Sequence, residues 1–158
     1  MAGISNTKIS IIGAGQVGAS VGFALAESAL AQEIIGNDDD NSLVMMLESP
    51  DGRILFTGDM EEAEEGLLLA SGADLRCDVL KVPNHADSDA CGAALIAACA
   101  PKVAVISTDS VEKPDTPDKR VLKDLDKAGC VTYNTENCTF GVRVLLEEGR
   151  VTANYVSW

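Results

Sequence analysis

Asp59 and His85 are the residues of this 158-residue chain whose types and placement suggest chemistry. Each closes an apolar run, Arg53-Ile-Leu-Phe-Thr-Gly-Asp59 in the first case and Asp78-Val-Leu-Lys-Val-Pro-Asn-His85 in the second. A carboxylate and an imidazole are both zinc ligands. The ends of strands in α/β proteins are where short loops hold such groups on a rigid sheet. By residue type alone, the plainer reading of Thr57-Gly58-Asp59 is a turn followed by a helix cap, since aspartate accepts hydrogen bonds from free helix amides. His85 is the only histidine in the chain.

A second constellation lies near the start. The strand Lys8–Ile12 runs straight into Gly13-Ala14-Gly15-Gln16-Val17-Gly18. The first glycine permits a tight turn, the second lets a pyrophosphate approach the backbone, and the third lets helix pack on strand. A helix opening at Gln16 and Val17 would point free amides at a phosphate. Asp38 falls about 20 residues further on, where an acid can hold the adenosine ribose. Gly13, Gly15, Gln16, Val17, Gly18 and Asp38 are therefore a candidate cradle for NAD or another small phosphate-bearing ligand. An acid at the ribose disfavours the extra phosphate of NADP. Asp38-Asp39-Asp40 reads as a solvated turn, because three successive acids cannot all face one ion.

The elements that must position these residues alternate. Ser42–Glu48 and Arg53–Thr57 flank Ser49-Pro50-Asp51-Gly52, a turn sequence that predicts an antiparallel hairpin. Glu61, Glu62, Glu64 and Glu65 suit the first turn of a helix that runs to about Ala70 and stops at Gly72. Strands are expected over Asp78–Val82, Lys102–Ser107 and Cys130–Asn134. Helices are expected over Ser88–Ala98 and from Thr116-Pro117-Asp118 through Leu125, with proline in the first helical position. Gly141–Leu146 and Arg150–Val156 read as a closing hairpin. The expected fold is α/β: a mainly parallel sheet flanked by helices, with β-hairpins at 42–57 and 141–156.

Composition narrows the function. Hydrophobic residues at 46% exclude disorder, and aromatics at 4% make the core aliphatic. A net charge of −13 repels nucleic-acid phosphates, so no nucleic-acid partner is expected. The five cysteines, Cys77, Cys91, Cys99, Cys130 and Cys138, are odd in number and show no CxxC spacing. That argues against a disulfide framework and a zinc knuckle, with Cys91 and Cys99 expected inside a helix. Together with the lack of a membrane-spanning run or a signal-peptide layout, this points to the cytoplasm.

Two resemblances add to this reading. Asn41 to about Leu145 resembles the C-terminal half of a metallo-β-lactamase-fold hydrolase, of the type found in bacterial DNA-uptake competence proteins. The likeness rests on Asn41-Ser-Leu-Val44, Leu55-Phe-Thr-Gly-Asp59, Asp78-Val-Leu-Lys-Val-Pro-Asn-His85, Lys102-Val-Ala-Val-Ile-Ser107, Thr116-Pro-Asp118, Val121-Leu122 and Ala128-Gly-Cys130. It implies that the acid at Asp59 bridges two metal ions and that the strand around Val82 leads into a histidine pair. Here that pair is Asn84-His85, and the histidine expected before Pro117 is Thr116. The His-x-His-x-Asp-His cluster of the family's N-terminal half is missing. Zinc wants about four ligands, so the resemblance implies no catalytic residues here and at most weak zinc binding by Asp59 and His85, with Asp87 beside them.

Residues 6–38 resemble the NAD-binding βα unit that opens lactate and malate dehydrogenases, although no catalytic base for that chemistry follows. The expected organisation is a single α/β domain over 1–158. A dehydrogenase-like unit would occupy 6–38 and a metallo-hydrolase-like half 41–158.

Overall fold

The computed structural model describes residues 42–157 and the strands Lys8–Ile12 and Ala31–Ile35. Gly13, Gly15, Gln16, Val17, Gly18 and Asp38 lie outside the described residues, as do the remaining acids of Asp38–Asp40. The strands are β1 (Lys8–Ile12), β2 (Ala31–Ile35), β3 (Met45–Ser49), β4 (Gly52–Phe56), β5 (Val79–Lys81), β6 (Val103–Ile106), β7 (Val131–Asn134), β8 (Gly141–Glu147) and β9 (Arg150–Val156). The helices among the described residues are α1 (Glu62–Ala70), α2 (Ala93–Cys99) and α3 (Lys119–Lys127).

Seven strands form one sheet in the order β2-β1-β3-β4-β5-β6-β7, and β8-β9 form a separate hairpin. Only β3 runs against its neighbours; the β1–β2, β4–β5, β5–β6 and β6–β7 pairs are parallel. This is the mainly parallel α/β fold with hairpins that the strand and turn pattern predicts. Strands β1 and β2 belong to the same sheet as the rest. Six strands therefore release their C-terminal ends at one edge, which is the edge that receives Asp59 and His85.

Strand alternation sets the two faces. Met46, Leu55, Leu80 and Ala104 lie in register across β3 to β6 and are buried under the helices. Leu68, Leu95, Ile96, Val121 and Leu125 close this aliphatic core from α1 to α3. The strands β4 to β7 are neighbours in sequence order, so right-handed crossovers put all three helices on that one face.

Phe56, Lys81, Val105 and Tyr133 form the opposite row. There the β8–β9 hairpin docks. The Tyr133 hydroxyl donates to the Ala153 carbonyl at 2.7 Å, and the Tyr133 and Tyr155 rings meet edge-on at 5.2 Å. At its tip the Glu148 amide donates to Asp51 Oδ1 at 2.9 Å, tying the hairpin to the β3–β4 turn.

Two helix starts differ from the sequence expectation. Helix α3 begins at Lys119, and Pro117 precedes the cap rather than opening the helix. The Asp118 carboxylate accepts the Arg120 amide at 2.7 Å, which makes Asp118 the capping residue. Helix α2 begins at Ala93 rather than Ser88, and Cys91 lies outside it with a φ of 56°. A long-range carboxylate is the cause. Glu65, only 3% exposed, reaches from α1 to accept the amides of Cys91 and Gly92, the latter at 2.8 Å. Glu65 is thus more than a dipole-complementing acid: it ties α1 to the turn before α2. Burial raises its carboxyl above the usual range, against the pull of those two amides.

Candidate functional site

The structure brings Asp59 and His85 together. Asp59 follows β4 through Thr57 and Gly58; the buried Thr57 hydroxyl is held by the Lys81 carbonyl at 2.6 Å, and Gly58 takes a φ of 58°. His85 sits in the short kinked turn Pro83–Ala86 that follows β5. Three successive residues there are left-handed, with φ values of 40° at Asn84, 55° at His85 and 64° at Ala86. Such backbone costs about 1–3 kcal/mol per non-glycine residue and persists only where the surroundings impose it. The clamps are visible. The Asn84 amide donates to the Gly58 carbonyl at 3.2 Å, and the Asp118 amide donates to the Ala86 carbonyl at 2.8 Å.

This backbone aims the imidazole at the aspartate. His85 Nε2 stands 3.3 Å from Asp59 Oδ1, while Nδ1 is hydrogen-bonded to the Ser107 carbonyl at the end of β6. A carbonyl can only accept, so Nδ1 carries the proton. Ser107 Oγ lies 3.5 Å from that same nitrogen. Serine, histidine and aspartate therefore stand in a row, yet Nδ1 has no lone pair free to take the serine proton, so the row is not an activated nucleophile. It is the tautomer that a metal-binding imidazole would need, with Nδ1–H fixed by a carbonyl and the Nε2 lone pair left on the side of Asp59.

The donors then have to be counted. Adjacent ligands of a tetrahedral zinc with bonds near 2.0–2.1 Å stand about 3.3 Å apart, which is the Asp59–His85 spacing. The pair fills two corners. Lys81 stands where further donors would be needed. Its Nζ donates to the Gly58 carbonyl at 3.0 Å and lies 3.9 Å from Asp59 Oδ1. Burial pushes the Lys81 ammonium below its usual range; Asp59 opposes that shift and Lys113 adds to it. A cation beside the carboxylate weakens its hold on a second one.

Thr116, in the place of the expected histidine, is 4% exposed and bonds to Thr108 Oγ1 at 2.7 Å and the Lys113 carbonyl at 2.9 Å. The Asp87 carboxylate turns to the Ser88 amide instead. Among the described residues no group of three metal-binding side chains comes together. Among the described residues a dinuclear zinc centre does not fit; a single zinc would have Asp59 and His85 as its protein ligands.

Beside the pair lies a cleft of about 310 Å³, lined by His85, Ser107, Thr108 and Thr135 with Lys113, Asp109 and Glu112. Its walls are the C-terminal ends of β5, β6 and β7 and the loop after β6. Sequence reasoning placed Asp59 and His85 but missed Lys81, Ser107 and Glu65. Lys81 had a signal, as the one charge inside the apolar run Val79–Val82. Ser107 and Glu65 had none, since their partners come from other elements.

The sequence pattern of the metallo-beta-lactamase superfamily matches residues 13–110, more than half of the chain. The chain belongs to that superfamily. The match spans β2, β3, β4, α1, β5, α2 and β6, and so takes in Asp59, Lys81, His85 and Ser107, together with the glycine turn from Gly13 and Asp38. The chain is also 28% identical over 109 residues to ComE operon protein 3 of Bacillus subtilis (strain 168), covering 63% of this chain and 14% of that protein. This member of the superfamily thus spans about a seventh of the curated relative it matches. No helix among the described residues is long and apolar enough to cross a membrane.

Proposed function

We propose that this chain is a metallo-β-lactamase-fold half-domain without hydrolytic turnover of its own, serving as a binding or structural domain. The observation that carries the reading is the pairing of Asp59 with His85 and, among the described residues, no third ligand, with Lys81 Nζ beside the carboxylate. A hydrolase of this kind uses its metal to generate hydroxide near neutral pH, and that demands a filled ligand set. His85 is the sole histidine of the sequence, and among the described residues Asp59 and His85 gather no third metal-binding side chain. Zinc binding is accordingly weak and mononuclear in this proposal. The net charge of −13 makes nucleic acid an unfavoured partner. The cysteine usage suits a cytoplasmic location.

Assays of phosphodiester and lactam hydrolysis with zinc or manganese test the proposal. Background rates in both the wild type and Asp59→Ala are expected. Metal-dependent turnover that disappears in Asp59→Ala would overturn it.

One observation favours a second reading, a dinucleotide held at the glycine turn. Strands β1 and β2 pair in parallel, with Ile11 opposite Ile34 and Ile12 opposite Ile35. Gly13 directly follows the first of these strands, and Asp38 comes three positions after the second. Their antiparallel neighbour β3 departs from the all-parallel dinucleotide fold. Calorimetric titration decides: modest affinity, NAD above NADP, and loss in Gly15→Val are expected. Absent binding, or binding unchanged in Gly15→Val, would leave the glycines a packing feature.

A further inference from the structure

At the sheet edge opposite Asp59 and His85 lies a second cleft, of about 380 Å³, lined by Arg53, Arg76, Cys77, Asp78, Cys99 and Ala100. Its two cysteines arrive from different elements: Cys77 from the loop before β5, and Cys99 from the last turn of α2. The Cys77 amide donates to the Cys99 carbonyl at 2.9 Å. This direct backbone bond sets the two residues side by side, as a disulfide requires, since it spans Cα separations of ~4.4–6.8 Å. Both cysteines line this one cleft. Cys77 is 8% exposed and Cys99 fully buried, so an oxidant entering the cleft meets Cys77 first.

We infer that Cys77 and Cys99 form a dithiol–disulfide modification site that oxidants of the peroxide class reach through this cleft. The Cys77 sulfur attacks one peroxide oxygen and the O–O bond breaks. The departing hydroxide takes the thiol proton and leaves as water, and Cys77 becomes a sulfenic acid. The Cys99 sulfur then displaces the sulfenic hydroxyl, which leaves as a second water carrying the Cys99 proton. Two thiols are oxidised and one peroxide is reduced. The resulting bond brackets residues 77–99, the segment that holds β5, His85 and α2.

The test treats the full chain with hydrogen peroxide, caps remaining thiols with an alkylating reagent and maps the peptides by mass spectrometry. Cys138 is half-buried and is removed as Cys138→Ser to suppress bonds between molecules. A Cys77–Cys99 linkage is expected as the main product. It should be reversed by dithiothreitol, be absent in Cys77→Ser, and form undiminished in Cys130→Ser. A Cys77–Cys130 linkage as the main product would overturn the inference. So would a wild-type Cys77 that becomes over-oxidised while Cys99 stays a free thiol.

Discussion

The two edges of the central sheet turn the chain by different means. Where the helices finish, reversal falls to residues suited to it. Gly72 follows α1 with a φ of 76°, Gly129 follows α3 with a φ of 75°, and neither has a neighbour that a side chain would strike. Ala100, after α2, is the one exception. At the other edge, left-handed backbone is imposed on Asn84, His85, Ala86 and Cys91, with Gly58 alone well suited. The first edge uses residues that tolerate the geometry. The second holds strained residues in place through hydrogen bonds to the Gly58 and Ser107 carbonyls and the Glu65 carboxylate, and from the Asp118 amide. Strain gathers where side chains are being aimed, around Asp59 and His85.

The largest expected effect lies in the core shared by both edges. Leu80 is fully buried between α-helices and sheet. Leu80→Ala should cost about 3 kcal/mol, read as a lower urea midpoint at unchanged slope. A loss under about 1 kcal/mol would mean that the helix face is loosely packed.

Glu65→Ala comes next, at about 2–3 kcal/mol, because it strands the amides of Cys91 and Gly92. The sign of its pH dependence follows from the raised carboxyl pKa. Between the unfolded value of about 4.5 and the raised folded value, the folded chain holds the proton and the unfolded chain has lost it. The wild type should therefore gain stability relative to Glu65→Gln as pH falls from neutral toward 4.5. Parallel pH profiles for the two proteins would contradict this.

Two smaller substitutions set the edges against each other. Gly129→Ala should cost about 1 kcal/mol, since an L side chain is strained at a φ of 75°. His85→Gly should stay within about 0.5 kcal/mol of wild type. Relief of left-handed strain roughly offsets the lost bonds to Asp59 and Ser107. Equal losses in the two variants would remove the distinction between the edges.

Most of this fold is legible in the sequence because it is local. Pro50-Asp51-Gly52 marks a hairpin turn, Gly72 and Gly129 stop helices, and apolar runs of strand length alternate with helix-length segments. The Asp59–His85 pair was legible for a similar reason, as each residue closes such a run. What escaped prediction was long-range. The start of α2 is set by Glu65, 27 residues before Gly92, and no pattern around Ser88 discloses it. The carbonyl that fixes the His85 tautomer comes from Ser107, which nothing near His85 anticipates. Lys81 was readable as a charge in an apolar strand, but its closeness to Asp59 depends on how β4 and β5 pair.

The central claim is that the donor set stops at Asp59 and His85, and metal stoichiometry tests it most directly. The purified chain is loaded with excess zinc, dialysed exhaustively against metal-free buffer and measured by elemental analysis. Less than one equivalent is expected to remain, with His85→Gly retaining none. Two equivalents surviving dialysis would contradict the account and require ligands beyond this pair.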